Sequence, residues 1–290
     1  MLGSNLVSFV DGIAFGLLLF TLAVGLSLVF GMMNVLNLAH GTFYLLGAYL
    51  TYLLSGGSVL SLGLALLVGL LAGGVGGALL AGLVRPLTDR GHLDQAVLTL
   101  GVAFIAADLF SSVFGAGNVP ADPPAALTGS ISVADQRYPT YRLLFIAVAA
   151  LLAVLLYLTF ERSRFGTLVR ATVADRQMVR AMGVDTRKVL AVGYAAGGAL
   201  AVVGGVLGAP ILGPGPGVDS NVLVLSLVVV VIGGLGSVRG ALVGALLVGE
   251  VQTLGVALLP EYASFLLFGI MLAVLAVRPR GLLPVAGRSG

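Results

Sequence analysis

Hydrophobic positions in this chain fall in long unbroken runs, not in the alternating or three-to-four spacing of half-buried elements. Apolar windows lie at about 7–31, 35–54, 59–84, 95–115, 143–160, 189–209, 222–237, 240–259 and 262–277. A helix crossing a bilayer needs about 20 mainly apolar residues, and most of these windows reach that length, while the shortest suit half-inserted segments. The pattern predicts an all-α, polytopic integral membrane helical bundle of about eight to nine membrane segments, re-entrant or broken helices among them. Little chain is left over for a second unit, so residues 1–290 read as a single domain. The opening MLGSNLVSFVDG has neither a basic stretch nor a small-residue cleavage site, so the first window is expected to be a retained span.

Composition agrees. Only 9% of residues are charged and 59% are hydrophobic, against roughly 25% charged in soluble domains, so lipid must be the main solvent. The few charges orient the chain, because Lys and Arg gather in cytoplasmic loops. Residues 161–188 hold six Arg plus Lys188 against Glu161, Asp175 and Asp185, which predicts a cytoplasmic loop. The Arg85 to Asp94 connection and the tail with Arg278, Arg280 and Arg288 belong on that side. Residues 116–142 then form the outer loop, rich in Pro and Gly and expected to be irregular and partly extended. The N-terminus lies outside if 35–54 crosses fully, and inside if that segment is re-entrant.

Several function classes drop out. The chain has no cysteine, and its two histidines, His40 and His92, are far apart, so thiolate chemistry and a zinc site are not expected. A net charge of +3 spread between apolar runs does not predict nucleic-acid binding. No G-x-x-x-x-G-K stretch occurs, so the chain carries no ATPase of its own. It reads as a non-enzyme.

Polar groups at membrane depth are costly and draw attention to pathways. Asn34, Asn37 and His40 sit in GMMNVLNLAHGTFYLLGAYL between Gly31 and Gly41, and Asn37 and His40, three apart, can share a helix face. A broken helix there would be tolerated where it is buried in protein or lines a cavity. These residues line a translocation path, or else Asn34 and His40 hydrogen-bond freed carbonyls and only stabilise the break. Asp108 and Glu250 lie inside other windows, where a neighbouring helix, water near a span end and solute compete as partners. Arg239, after the glycines of IGGLGSVRGALVG, marks a cytoplasmic turn, snorkels or lines a vestibule. Small residues at four-residue spacing (Gly69, Gly73, Gly77; Gly193, Gly197, Ala201, Gly205; Gly236, Gly240, Gly244) form smooth stripes for close helix packing, within one subunit or across a dimer.

The loop ERSRFGTLVRATVADRQMVRAMGVDTRKV is more than a linker. Met178, Val179 and Met182 fall on one helical face beside Arg176 and Arg180, and Gly183 is a suitable helix stop. The opposite face would present Arg and Asp to a partner. A solvated positive loop and a helix resting on anionic lipid are the other readings.

NVLNLAHGTFYLLGAYL, RPLTDRGHLDQAVLTLGVAFI, GTLVRATVADRQMVRAMGVDTRKV, IGGLGSVRGALVGALLVG and VRPRGLL together resemble the permeases of branched-chain amino acid ABC importers, a group that also handles urea and short amides. The resemblance spans nearly the whole chain. It implies a multi-pass subunit of the bacterial inner membrane, working with a second permease subunit, two ATP-binding cassette ATPases that use ATP and Mg, and an extracytoplasmic solute-binding protein. The length matches the smaller permease type, which favours a heterodimer. The resemblance places Gly166, Arg170, Ala171, Asp175, Ala181 and Gly183 on or beside a coupling helix, and it expects an amide near Asp108, where this chain has a carboxylate. The solute path is expected to involve Asn34, Asn37, His40 and Asp108. The competing readings are a carrier driven by an ion gradient, in which Asp108 and Glu250 would act, and a membrane scaffold.

Overall fold

Among the described residues, nine apolar helices and a short arm follow from those runs. The computed structural model describes residues 2–33, 37–87, 91–133 and 136–284, so Asn34 and Arg288 lie outside the described residues. The apolar helices are α1 (Leu2–Met33), α2 (His40–Leu54), α3 (Val59–Val84), α4 (His92–Phe114), α5 (Thr140–Tyr157), α8 (Thr186–Leu212), α9 (Val218–Gly233), α10 (Val238–Leu258) and α11 (Ala263–Val277). Between α5 and α8 run α6 (Arg164–Ala174) and α7 (Arg176–Ala181), and before α5 lies a hairpin of β1 (Ser130–Val133) and β2 (Gln136–Pro139). Seven of the helices are long and apolar enough to cross a membrane; α2 and α9 are shorter. Each expected window therefore has its helix, and the protein is an all-α polytopic membrane bundle.

The chain shuttles between two ends, which we name after the hairpin and the arm. At the hairpin end, Tyr138 and Arg142 bind Asp11 near the start of α1, and the Ala125 N–H bonds the Gly57 carbonyl after α2. At the arm end, the Gly236 N–H bonds Ser27 Oγ of α1, and the Leu282 N–H bonds the Ile232 carbonyl of α9. α1 thus runs from the hairpin end to the arm end, and residues 37–54 return. α1 starts at the hairpin end, and the described part of the second window, residues 37–54, leads back to that end. Residues 161–188, the segment after Val84 and residues 278–284, which charge had put on one side, share the opposite end, and the 234–237 turn joins them.

α1 and α8 form the centre of the bundle, and α4 and α11 its rim. Most of the spanning parts of α1 and α8 are buried, whereas those of α4 and α11 are largely open. The glycine stripes explain how backbones come this close. Gly69, Gly73 and Gly77 of α3 face Val202, Gly198 and Tyr194 of α8, and Gly244 of α10 meets Val229 and Gly233 of α9. These stripes are filled by contacts within this chain.

The outer segment is irregular up to Gly129 and then extended in two short strands, as expected. Ser130 pairs with Pro139 and Ile131 with Tyr138 in an antiparallel hairpin. Tyr138 anchors it: its phenol donates to Asp11 Oδ1 at 2.9 Å, and Arg142 reaches the same oxygen at 2.5 Å. Burial, and the adjacent carboxylate after it, push the Tyr138 phenol above its ordinary range, which keeps it a donor. The two four-residue strands pair through their backbones, and Tyr138 ties the second to α1.

Candidate functional site

The first candidate region is the break before α2. Leu22 stands eleven residues before the end of α1, roughly 16 Å along the helix axis. His40 Nε2–H donates to the Leu22 carbonyl at 2.9 Å, so α2 starts deep in the bundle and not at its face. α9 begins inside as well: a Cβ on Gly41 would strike the backbone carbonyl of Asp219 in the first turn of α9, and Val222 packs with Leu18 and Tyr44. Two helix starts therefore meet within the membrane-spanning part of the bundle.

Irregular backbone at that depth has to be satisfied by protein, and here it is. The Leu38 N–H donates to Thr99 Oγ1 of α4 at 3.2 Å, the Ala39 N–H to Asn37 Oδ1 at 3.2 Å, and the His40 N–H to the Asn37 carbonyl. Asn37 does not share a helix face with His40, because α2 begins only at His40; it caps the turn before it. Satisfying the break, foreseen for Asn34 and His40, thus also falls to Asn37. His40 is nearly fully buried, and its Nε2 fastens α2 to α1.

What remains unspent is instructive. Buried polar atoms in native proteins nearly always have a partner, and each exception calls for an explanation. Among the described residues, His40 Nδ1, Thr42 Oγ1 and the Tyr44 hydroxyl are buried without protein partners, all within five residues of α2. His40 and Tyr44, four apart, share a face. Thr42 and Tyr44 carried no signal in the sequence, where hydroxyls in an aromatic-rich window look like ordinary helix residues.

Asp108 lies elsewhere. It is exposed on α4, whose spanning part is only 6% buried, and it is not brought together with Asn37 and His40. Glu250 of α10 is packed against Gly12 of α1, and both its oxygens are buried without partners. Arg239 has its environment defined at the arm end: it reaches Glu161 at 3.3 Å and its guanidinium sits 5.3 Å from the Tyr157 ring centre.

The second candidate region is the arm, α6 and α7. α5 ends in a π-helical turn, Leu158–Arg162, a form that leaves carbonyls out of α-helical register. Arg170 donates to the Phe160 carbonyl in that turn and lies 4.0 Å from Glu161. Gly166 lets α6 approach, since a Cβ there would overlap the Phe160 backbone. Ser163 caps α6 by accepting the Gly166 N–H at 3.1 Å. Asp175 ends α6 and caps α7, accepting the Met178 N–H at 2.9 Å. Gly183, at φ +83°, closes α7 in a Schellman motif, with its N–H on the Arg180 carbonyl and that of Val184 on the Val179 carbonyl. Four of the six residues assigned to coupling thus shape the arm, while Ala171 and Ala181 are exposed on it.

The expected single apolar face of α7 is split. Val179 is buried at 5% exposure, whereas Met178 and Met182 stand out at 60% and 74%. The two methionines stand outward among exposed polar residues, and Arg176 and Arg180 line a cleft with α3 and α8. Six residues are too few for a period to show, and the break at Asp175 resets the face.

Among the described residues no group of three or more His, Asp or Glu side chains is placed to hold a metal. The family model of the branched-chain amino acid transport system permease component matches residues 8–275. The chain is 26% identical to the high-affinity branched-chain amino acid transport system permease protein LivH of Salmonella typhimurium, over 94% of this chain and 93% of that one. It is 27% identical to BraD of Pseudomonas aeruginosa, over 94% of each. LivM of Escherichia coli is 27% identical over 91% of this chain and 67% of its own length. No solved structure matches. A match that runs from the first turns of α1 to the end of α11 makes this chain a member of the branched-chain amino acid transport system permease family.

Proposed function

We propose that this chain is a membrane-spanning subunit of an ATP-driven importer in the bacterial inner membrane, carrying branched-chain or related amino acids inward by alternating access. The observation that carries this reading is the family match over the whole bundle, arm included. On it, the arm end is cytoplasmic, residues 161–188 are the coupling loop and residues 116–142 face a solute-binding protein. The arm meets a separate ATPase through Met178 and Met182, with Ala171 and Ala181 small enough to allow close approach. Relatives of both the LivH and LivM kinds favour a heterodimer with a second permease subunit. ATP and Mg belong to the ATPases.

His40, Thr42 and Tyr44 supply the polar contacts of the path, with Asn37 positioning α2. His40 and Tyr44 are almost fully buried, so solute reaches them only when helices shift. Movement of the arm, transmitted through the Phe160 turn to α5 and through Arg239 to α10, is the step that shifts them. The relatives' names favour branched-chain amino acids over urea or short amides.

A second reading, a carrier driven by an ion gradient, is favoured by the unpartnered carboxylate of Glu250. One experiment separates the two: leucine uptake in cells whose ATP is maintained while an uncoupler collapses the gradient. Uptake that persists, with an ATPase co-purifying with this chain, is the expected result. Uptake lost at constant ATP overturns the importer.

A further inference from the structure

α9 carries polar side chains that the break before α2 does not use. Asp219 in its first turn is only 8% exposed, and Ser226, seven residues on, is buried with its Oγ unpartnered among the described residues. Residues seven apart share one face of a helix. That face looks onto α1 and α2, because Val222 on it packs with Leu18 and Tyr44, and the Leu223 Cβ lies beside Gly41. Asp219 therefore points to the region where His40 Nδ1, Thr42 Oγ1 and the Tyr44 hydroxyl are unspent. The Tyr49 phenol of α2 feels its charge.

The Asp219 carboxylate accepts no hydrogen bond from any described residue, and the ion pairs among those residues are made by Asp11 and Glu161 instead. The positive end of α9 offsets part of the cost of a negative charge at this depth. It does not supply a counter-ion, and an ionisable group inside a bundle as a rule pairs or marks a path. Ser220 and Asn221 belong to the same turn and are exposed. Polar side chains open at membrane depth face water or protein, not hydrocarbon, so a polar route passes the start of α9.

We propose that Asp219 receives the ammonium group of the transported solute, which makes an α-amino acid, and not urea or a short amide, the class that this site selects. The inference rests on the functional reading above and adds the one charge that reading lacked. An ammonium brings a positive charge and three N–H donors, so it pairs with a buried carboxylate as no neutral amide can. The Thr42 and Tyr44 hydroxyls are left to donate to the solute's own carboxylate. Two other occupants would silence the charge, a proton held on Asp219 and an inorganic cation, and each gives a different result in the test.

The whole importer, purified with its partner subunits and binding protein and reconstituted in proteoliposomes, is assayed for radiolabelled leucine uptake and ATP hydrolysis together. The parent is compared with Asp219→Asn, which copies the shape of a protonated Asp, and with the smaller Asp219→Ser. The expected result is uptake more than about tenfold lower in both variants, as when a buried charge pair loses one member. Hydrolysis should stay within about twofold of the parent, which a merely damaged fold would not allow. Parental uptake in Asp219→Asn means that a neutral side chain suffices and overturns the assignment. Joint loss of assembly, hydrolysis and uptake in both variants makes Asp219 structural and overturns it too. Parental uptake that stops when choline replaces sodium and potassium gives the site to an inorganic cation, with the same consequence. A parent that hydrolyses ATP without moving leucine refutes the importer reading itself and the role of Asp219 with it, whereas a contrary result confined to the variants refutes Asp219 alone.

Discussion

Arg239 at the start of α10 places Nη2 3.3 Å from Oε2 of Glu161 at the end of α5, and Glu161 also faces Arg170 of the arm at 4.0 Å. One carboxylate thus touches two elements that must move together if the arm drives the bundle. Arg239 is more than half exposed, and exposed ion pairs contribute about 0–1 kcal/mol. Glu161→Gln is accordingly expected to leave the Tm almost unchanged while lowering ATP-coupled uptake severalfold. Double-mutant comparison with Arg239→Gln checks the link: additive losses in uptake would show that the pair does not act as a unit.

Gly166 is the position where the arm tolerates least. Any Cβ there overlaps the Phe160 backbone, and overpacking of this kind costs about 1–3 kcal/mol. Gly166→Val is expected to loosen α6 from the π-helical turn. Limited trypsin digestion, reading cleavage at the arm's arginines, should show faster cutting than in the parent or in Ala171→Ser, whose site is exposed. Equal digestion rates would mean that the turn yields without cost.

The helices were legible because a run of about 20 apolar residues has few other physical uses, and the sidedness of the loops because Arg residues mark one end. The start of α2 was legible in part. Asn37, His40 and Gly41 announced a break, but their duties depend on Leu22 and Asp219, which are distant in sequence and ordinary in type. Thr42 and Tyr44 could not be singled out, since being unpartnered is a property of the fold. The outward turn of Met178 and Met182 was missed for a geometric reason, the short α7 restarted at Asp175. Asp108 was drawn into the path by its depth in a window, and only the openness of α4 shows that depth and centrality differ.

Asp108 separates the two transport mechanisms. Exposed on α4 and remote from His40, it has no role in the path proposed for an ATP-driven importer, and an amide is what the family resemblance expects nearby. Asp108→Asn should therefore leave leucine uptake within about twofold of the parent, as surface changes away from packed sites usually do. A carrier that moves protons through this carboxylate would instead lose concentrative uptake while keeping exchange.

Met178 and Met182 expose apolar surface that an isolated chain gains nothing by showing to water. Replacing both with Ser should change stability by no more than about 0.5 kcal/mol, because neither is packed in the bundle. Co-purification of an ATPase should fall about tenfold, the loss expected when one or two apolar anchors leave an interface. Retention of the ATPase at parental levels, with uptake intact, would move the contact to the basic face of the arm.

His40 holds two roles that a single substitution confounds. Its Nε2 bonds the Leu22 carbonyl and its Nδ1 has no protein partner; the first is structural, and the second is the group proposed to meet solute. His40→Ala removes both and opens a cavity, for an expected loss of about 2–4 kcal/mol, so lost uptake in that variant would say little. His40→Gln retains an N–H donor of similar reach and should recover most of the stability. If the Gln variant folds and assembles like the parent yet its KM for leucine rises severalfold, the ring itself contributes to the path. If uptake returns with stability, His40 is a fastener for α2, and the solute contacts narrow to Thr42 and Tyr44, where Tyr44→Phe becomes the deciding substitution.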